Sequence, residues 1–414
     1  MSAHARRPIG GIGLTRDGAD DASANGSRRG VDSRVWLLAL GAFATGTDAQ
    51  VISGILPQIS ADFSVSLDTA GGVVSVYSVT YAVSAPVLAA LTVHLRRDRA
   101  AVLALAIFTF ANALCALAPT FGVLLGARVL AGVSGGLFIP TAYALAAGLA
   151  RPERRGAALS VIAFGITGAI VAGVPLGVLV GDGLGWHAAF WLVTGISAIA
   201  VVSIAALVPP PLSTPLTATL PERFAPLVHM PTLLALLPTL LCLGLNGGVY
   251  TYLGAMLHDR GYPTVIALMA FSLFGLGALV GSQVGGRLVD RYGPLRPIFA
   301  ALVASIIVAL LVARALDALW SIGVASFALG AAPWPIVLGQ QRRLMALAPR
   351  HVEVVLALNN SFVYFGIAVG TTVAGAALQR GLKLDAIPTV CAVFPVAAIV
   401  SLLASEALFR ARRS

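Results

Sequence analysis

Residues 121–181 read FGVLLGARVLAGVSGGLFIPTAYALAAGLARPERRGAALSVIAFGITGAIVAGVPLGVLVG, two long apolar stretches joined by the charged turn RPERRG. A helix rising 1.5 Å per residue needs ~20 residues to cross a hydrocarbon core of ~30 Å, and each stretch is long enough. The first, about 121–149, holds one fixed charge, Arg128. A guanidinium near mid-membrane costs at least ~2.5 kcal/mol on insertion scales, so it should face a partner or a watery cavity rather than lipid. Gly132 follows one turn later and Gly135 and Gly136 one turn after that, which leaves a groove on the arginine's face where another backbone can approach. The second stretch, about 157–181, carries Gly165, Gly168, Gly173, Gly177 and Gly181. Its interior Pro175 removes one helical hydrogen bond and bends the helix.

Outward from this pair the same texture continues. Of 414 residues, 58% are hydrophobic and 11% charged, which would give a soluble globule a greasy exterior. From Val35 onward there are twelve apolar runs, at about 35–57, 71–94, 100–119, 121–149, 157–181, 187–208, 232–257, 264–289, 296–316, 318–340, 352–379 and 386–409. The expected fold class is an all-α membrane protein with twelve transmembrane helices. Residues 1–34 are polar and contain no apolar core that could serve as a signal peptide, so a disordered tail is expected there. Residues 209–231, PPPLSTPLTATLPERFAPLVHMP, hold seven prolines and read as a linker between two six-helix halves, 35–208 and 232–409, with a short tail at 410–414.

The net charge of +10 does not point to nucleic acid, because the basic residues sit in short clusters between apolar runs without interleaved aromatics. Of the 27 basic residues, 16 occupy the even-numbered loops and the C-terminal tail, and four occupy the odd-numbered loops. The positive-inside rule then puts both termini in the cytoplasm. Cys115, Cys242 and Cys391 are scattered through apolar runs with no CxxC or neighbouring histidine, so packing cysteines and no metal site are expected. Neither a nucleotide-binding GxxxxGK pattern nor a GxSxG or HExxH hydrolase motif occurs. No cofactor and no enzyme activity are expected.

Arg128 to Gly132, the RPERRG turn and Gly165 to Gly177 with Pro175 together resemble the major facilitator superfamily, specifically its proton-driven drug antiporters. The loop GGRLVDRYGPLRP (285–297) resembles the superfamily's signature loop through Gly286, Arg287, Asp290, Arg291 and Gly293, with Asp290 placed to pair with Arg287 or Arg291 and Gly286 allowing close helix approach. Its first-half counterpart, LTVHLRRDRAAV, lacks the glycine and has His94 or Leu95 where an acid is expected. The first helix contains GTDAQVISGILPQISADFSVS (46–66). It is similar to the opening helix of the arabinose, purine-nucleoside and chloramphenicol exporters, in which an acid follows a Gly-Thr pair. The resemblance implies two six-helix halves with a substrate cavity between them, rocking by alternating access in a bacterial inner membrane, the protein acting as a monomer.

Asp48 is the only acid well inside an apolar run; Glu406 lies a turn from the arginine-rich C-terminal end. With the helix ends above, Asp48 and Arg128 fall at similar depth, so they are expected to form a proton-coupling pair, the alternative being a structural counter-ion. Thr45 shares the Asp48 face. Asn246, Tyr250, Tyr252, Trp334, Asn359, Asn360 and Tyr364 are candidate cavity residues, and Gln340 and Gln341 are read as interfacial. The expected function is proton-coupled export of a small organic molecule. Alternatives are a sugar or nucleoside exporter, a proton-coupled uptake permease, or a membrane sensor that carries nothing.

Overall fold

Among the described residues twelve helices follow the twelve apolar runs, and the first, eighth and tenth run on by three to seven residues at their ends, where polar residues at a membrane boundary continue the helix. A computed structural model describes residues 31–92, 95–208, 230–347 and 352–411. The helices are α1 (Arg34–Asp62), α2 (Leu67–Leu91), α3 (Arg97–Ala116) and α4 (Phe121–Leu149). α5 runs in three segments, Arg155–Gly168, a π-helical turn Ala169–Gly173, and Val174–Leu184, and α6 is Trp186–Leu207. α7 (Met230–Asp259), α8 (Thr264–Tyr292) and α9 (Leu295–Ala315) follow. α10 breaks at Ala332 into Leu319–Ala331 and Pro333–Leu347, α11 is Val352–Gln379, and α12 comprises Ile387–Cys391 and Val393–Ala411. All twelve are long and apolar enough to span a bilayer. Large side chains such as Phe164, Val202, Trp320 and Val400 are exposed on the outside, as lipid-facing residues are.

Local chemistry sets the boundaries. Thr120 caps α4 by accepting from the Val123 amide, and Gly185 and Gly293 end α5 and α8 with φ of 85° and 74°, a region glycine enters without steric cost. Pro175 has no amide hydrogen to donate to the carbonyl four residues back, and the π-helical turn stands where that bond is missing.

Glycines then set which helices touch. A Cβ at Gly132 would meet the Thr80 side chain and the Tyr77 carbonyl, and one at Gly136 would meet Ser84 and the Tyr81 carbonyl, so α4 lies backbone-close on α2. On α5, Gly165 faces the Ala39 carbonyl, Gly173 faces Thr47, Gly177 faces Val51 and Gly181 faces Ile55, all on α1. Gly168 is looser, with only Phe43 at ordinary van der Waals distance. α7 and α11 meet in the same way, Gly247 against Ile367 and Gly370 against Gly244.

The first six helices share a buried cluster that includes Tyr77, Tyr81, Phe108, Phe138 and Ile162, and Tyr364 of α11 lies against it. Contacts between the first six and last six helices run from the ends bearing the odd-numbered loops to mid-helix. Gln379 donates to Asp68 at 2.7 Å, and the Ser75 and Thr372 hydroxyls are 3.2 Å apart. Gly254 of α7 lies on the Ser53 carbonyl of α1, and Gly275 of α8 lies on the α5 backbone at Ile170 and Val171.

Several expectations are corrected here. Asp290 does not pair with Arg287 or Arg291; Arg342 of α10 reaches it at 2.7 Å and also donates to the Val289 carbonyl, fixed beside it by the close packing of α8 on α10. Arg291 instead lies 5.3 Å over the Tyr292 ring. Close approach in this loop is made by Gly285, which abuts the Pro335 backbone, whereas a Cβ at Gly286 would touch only the tip of Leu338 at 3.9 Å. Gln340 is fully buried rather than interfacial, since its Nε2 donates to the Ala235 carbonyl of α7 at 2.7 Å. α1 begins at Arg34, inside the expected tail, and ends five residues beyond position 57. Residues 1–30, His94, residues 209–229 of the expected linker and residues 412–414 lie outside the described residues.

Candidate functional site

Arg128 and Asp48 meet. Nη1 of Arg128 donates to Oδ1 of Asp48 at 2.6 Å, and neither side chain has any exposed surface. Asp48 stands midway along α1, 14 residues from Arg34 and 14 from Asp62, or ~21 Å from either end. Arg128 is seven residues into α4, ~10 Å from its start. The glycines after Arg128 bring α2 close enough to supply the remaining walls. The Arg128 guanidinium carbon sits 4.2 Å over the Tyr77 ring, and its Nε lies 3.5 Å from the Val73 carbonyl. Asn112 and Cys115 of α3 lie beside the pair, and the Asn112 amide donates to the Phe108 carbonyl of its own helix at 3.1 Å.

This shell leaves the pair under-satisfied. A carboxylate offers about four acceptor positions and a guanidinium five donors. Among the described residues, Asp48 Oδ2, Arg128 Nη2, Tyr77 Oη and Asn112 Oδ1 are buried with no hydrogen-bond partner. Four buried polar atoms without partners around one ion pair are costly in a medium without water. The unpaired Asp48 Oδ2 and Arg128 Nη2 are an acceptor and a donor that a water or a polar ligand group could meet.

The other expected residues are spread more widely. Thr45 is buried and its hydroxyl bonds back to the Gly41 and Ala42 carbonyls. Asn246 donates to the Leu329 carbonyl of α10, and Asn359 accepts from Thr239 of α7 at 2.7 Å, so both tie helices together rather than line a cavity. Tyr250 is buried against Phe271 and Phe274. Trp334 is half-buried beside the α10 break. Tyr252 fills the junction between Gly71 of α2 and Gly375 of α11. Only Asn360 and Tyr364 join the neighbourhood of the ion pair: Tyr364 stacks on Tyr81 with ring centres 3.7 Å apart, and Asn360 lies within reach of the Tyr81 hydroxyl.

Sequence reasoning missed Tyr77, Tyr81, Asn112 and Cys115. Asn112 and Cys115 sit three apart on one face of α3, and the only available signal was a lone amide in an otherwise apolar run. It also missed a third buried charge. Arg343 of α10 is 4% exposed, donating to Glu406 at 2.8 Å, Ser405 at 2.6 Å and Gln340 at 3.3 Å. Placed three residues past the expected end of the tenth run, it was counted as a loop residue.

The comparisons with known proteins agree with this architecture. The chain is 29% identical over 378 residues to the uncharacterized MFS-type transporter YbcL of Bacillus subtilis (strain 168), covering 89% of this chain and 95% of that protein. It is 33% identical over 261 residues to a chloramphenicol resistance protein of Streptomyces lividans, covering 62% of this chain and 67% of that protein. Among solved structures, a bacterial homologue of the human lysosomal transporter Spinster, in an inward-facing and occupied conformation, superposes with a TM-score of 0.69 at 17% identity, over 92% of this chain and 96% of that one. The family description Major Facilitator Superfamily matches residues 38–408, so the twelve-helix chain belongs to that superfamily of transporters.

Proposed function

We propose that the chain is a proton-coupled exporter of small organic molecules, working by alternating access in a bacterial inner membrane with both termini cytoplasmic. The observation that carries this reading is the fully buried Asp48–Arg128 pair with an unmet acceptor and an unmet donor at mid-membrane. Whether a carboxylate there carries a proton depends on how close the guanidinium comes and on how much water enters. Moving the arginine away, or excluding water, favours the protonated acid. The odd-numbered loops face the periplasm in this topology. The closed contacts Asp68–Gln379 and Ser75–Thr372 then seal the periplasmic side, so a rocking motion that parts them would expose Asp48 to the proton-rich compartment.

Each proton moved across the field contributes ~2.3 kcal/mol per 100 mV, enough to drive a modest substrate gradient. The resistance that names the Streptomyces lividans relative favours outward drug transport over uptake. So does the glycine-rich α5, whose resemblance to the antiporter motif was read in the sequence. No cofactor is required, and the partners are a small-molecule substrate, protons and the lipid bilayer, with the protein acting as a monomer. The test is efflux of a panel of drugs, sugars and nucleosides from proteoliposomes under an imposed pH gradient, with proton release recorded on substrate addition. Uphill efflux that collapses when the gradient is dissipated is the expected result; substrate movement indifferent to the gradient would overturn the coupling.

A further inference from the structure

A single line of aromatic contacts joins the boundary between the two sets of helices to the ion pair. Tyr364 on α11 stacks on Tyr81 on α2, ring centres 3.7 Å apart and planes 24° from parallel. Tyr81 and Tyr77, one helical turn apart, have ring centres at 6.2 Å. Tyr77 in turn carries the Arg128 guanidinium at 4.2 Å, and Arg128 holds Asp48 at 2.6 Å. Every step from Tyr81 to Asp48 lies within the first six helices, and only the Tyr81–Tyr364 step crosses to the last six.

That crossing is the step that transport has to break. The two rings belong to helices that must separate when the Asp68–Gln379 and Ser75–Thr372 contacts open, and separation strips each ring of the face that covers it. A flat ring entering the gap at one stacking distance from each tyrosine would restore both faces at a ring-to-ring spacing of ~7 Å. The surroundings also set the charge of such a ligand. Asp48 and Arg128 neutralise one another, and the groups beside the stack are neutral donors and acceptors, the Tyr81 and Tyr364 hydroxyls and the Asn360 amide. We propose that Tyr81 and Tyr364 form a slot for a flat, uncharged aromatic solute with a polar substituent, and that Tyr77 positions Arg128 so that occupancy of the slot is felt at Asp48. This rests on the export reading above for its physiological meaning, but binding itself needs no gradient.

The experiment uses the purified full chain and two probes with the same ring skeleton and hydroxyl, flat 2-naphthol and its saturated, puckered counterpart decahydro-2-naphthol, titrated by calorimetry. The wild type should bind 2-naphthol about tenfold more tightly, the size of effect that stacking on two rings supplies. Tyr364→Phe should keep that preference and Tyr364→Ala should lose it, with thermal unfolding confirming that each variant is folded. Equal affinities in the wild type, or a preference retained in Tyr364→Ala, would overturn the slot. Tyr77→Leu should release no proton when saturated with 2-naphthol, saturation being read from the heat of titration; undiminished release would remove Tyr77 from the path. If 2-naphthol binds with its preference but the wild type releases no proton, the coupling proposal fails and the slot stands.

Discussion

Replacing Asp48 by Asn, Arg128 by Gln, and then both together separates a working ion pair from a structural brace. The single changes leave one charge with no partner in a place without exposed surface, and breaking a buried pair this way typically costs 3–5 kcal/mol. The double variant removes both desolvation costs; Asn matches Asp in size, while Gln is two heavy atoms shorter than Arg and leaves a small cavity, so the loss should be about 1–2 kcal/mol. The structure sharpens this, because Asp48 Oδ2 and Arg128 Nη2 already lack partners and neutral amides would tolerate that situation at lower cost than ions. The coupling between the two sites should then be about 3 kcal/mol or more, well beyond the ~0.5 kcal/mol scatter of independent sites. Thermal unfolding in detergent, followed by monodispersity on size exclusion, measures it. In proteoliposomes the double variant should be as stable as needed for assay yet move substrate only downhill, with no proton release. Additive losses in the cycle would refute the electrostatic argument. Uphill efflux by Asp48→Asn with unchanged pH dependence would send the proton by another route.

Gly173→Leu should abolish transport and Gly177→Leu likewise, because the new side chains would occupy the space of Thr47 and Val51 on α1; flux assays at matched membrane levels test this. Ser75→Cys with Thr372→Cys, in a background lacking Cys115, Cys242 and Cys391, should cross-link readily under mild oxidation and stop transport until reduced, since the parent hydroxyls are 3.2 Å apart. Asp290→Asn should change stability by less than about 1 kcal/mol, because the acid is 82% exposed, whereas Glu406→Gln should cost more, its partner Arg343 being 4% exposed. For topology, a cysteine replacing Asp259 should be labelled from the periplasm and one replacing Glu153 only from the cytoplasm; the reverse pattern would invert the orientation.

The helices were legible because hydropathy over ~20 residues integrates many weak signals into one strong one, and even the pairing of Asp48 with Arg128 followed from scarcity: few charges had anywhere else to go. What surrounds that pair was not legible. Tyr77 is an ordinary aromatic in a sequence and becomes a wall of the site only because Gly132 and Gly136 draw α2 against α4. Arg342 and Arg343 show the same limit from the other side. They are adjacent in sequence at the end of α10, yet a turn of 100° per residue sends one to the surface at Asp290 and the other inward to Glu406. Counting both as loop charges was the natural error of a reading that has no helix face to refer to.

The seating of α5 on α1 has a further consequence. Gly165 and Ala39, Gly173 and Thr47, Gly177 and Val51, and Gly181 and Ile55 are each separated by the same 126 positions. Two helices that run in the same direction with one constant offset behave like a rail and its carriage locked at a single notch. Slipping by one residue would turn these glycines ~100° off the contact and bring Ile166, Val174 and Val178 toward α1 in their place. The seating therefore favours motion of the two helices together over a one-residue slip. Losing a single residue from the π-helical turn Ala169–Gly173 would shift everything beyond it by one notch, so a deletion there should be far less tolerated than one in any loop of the same length.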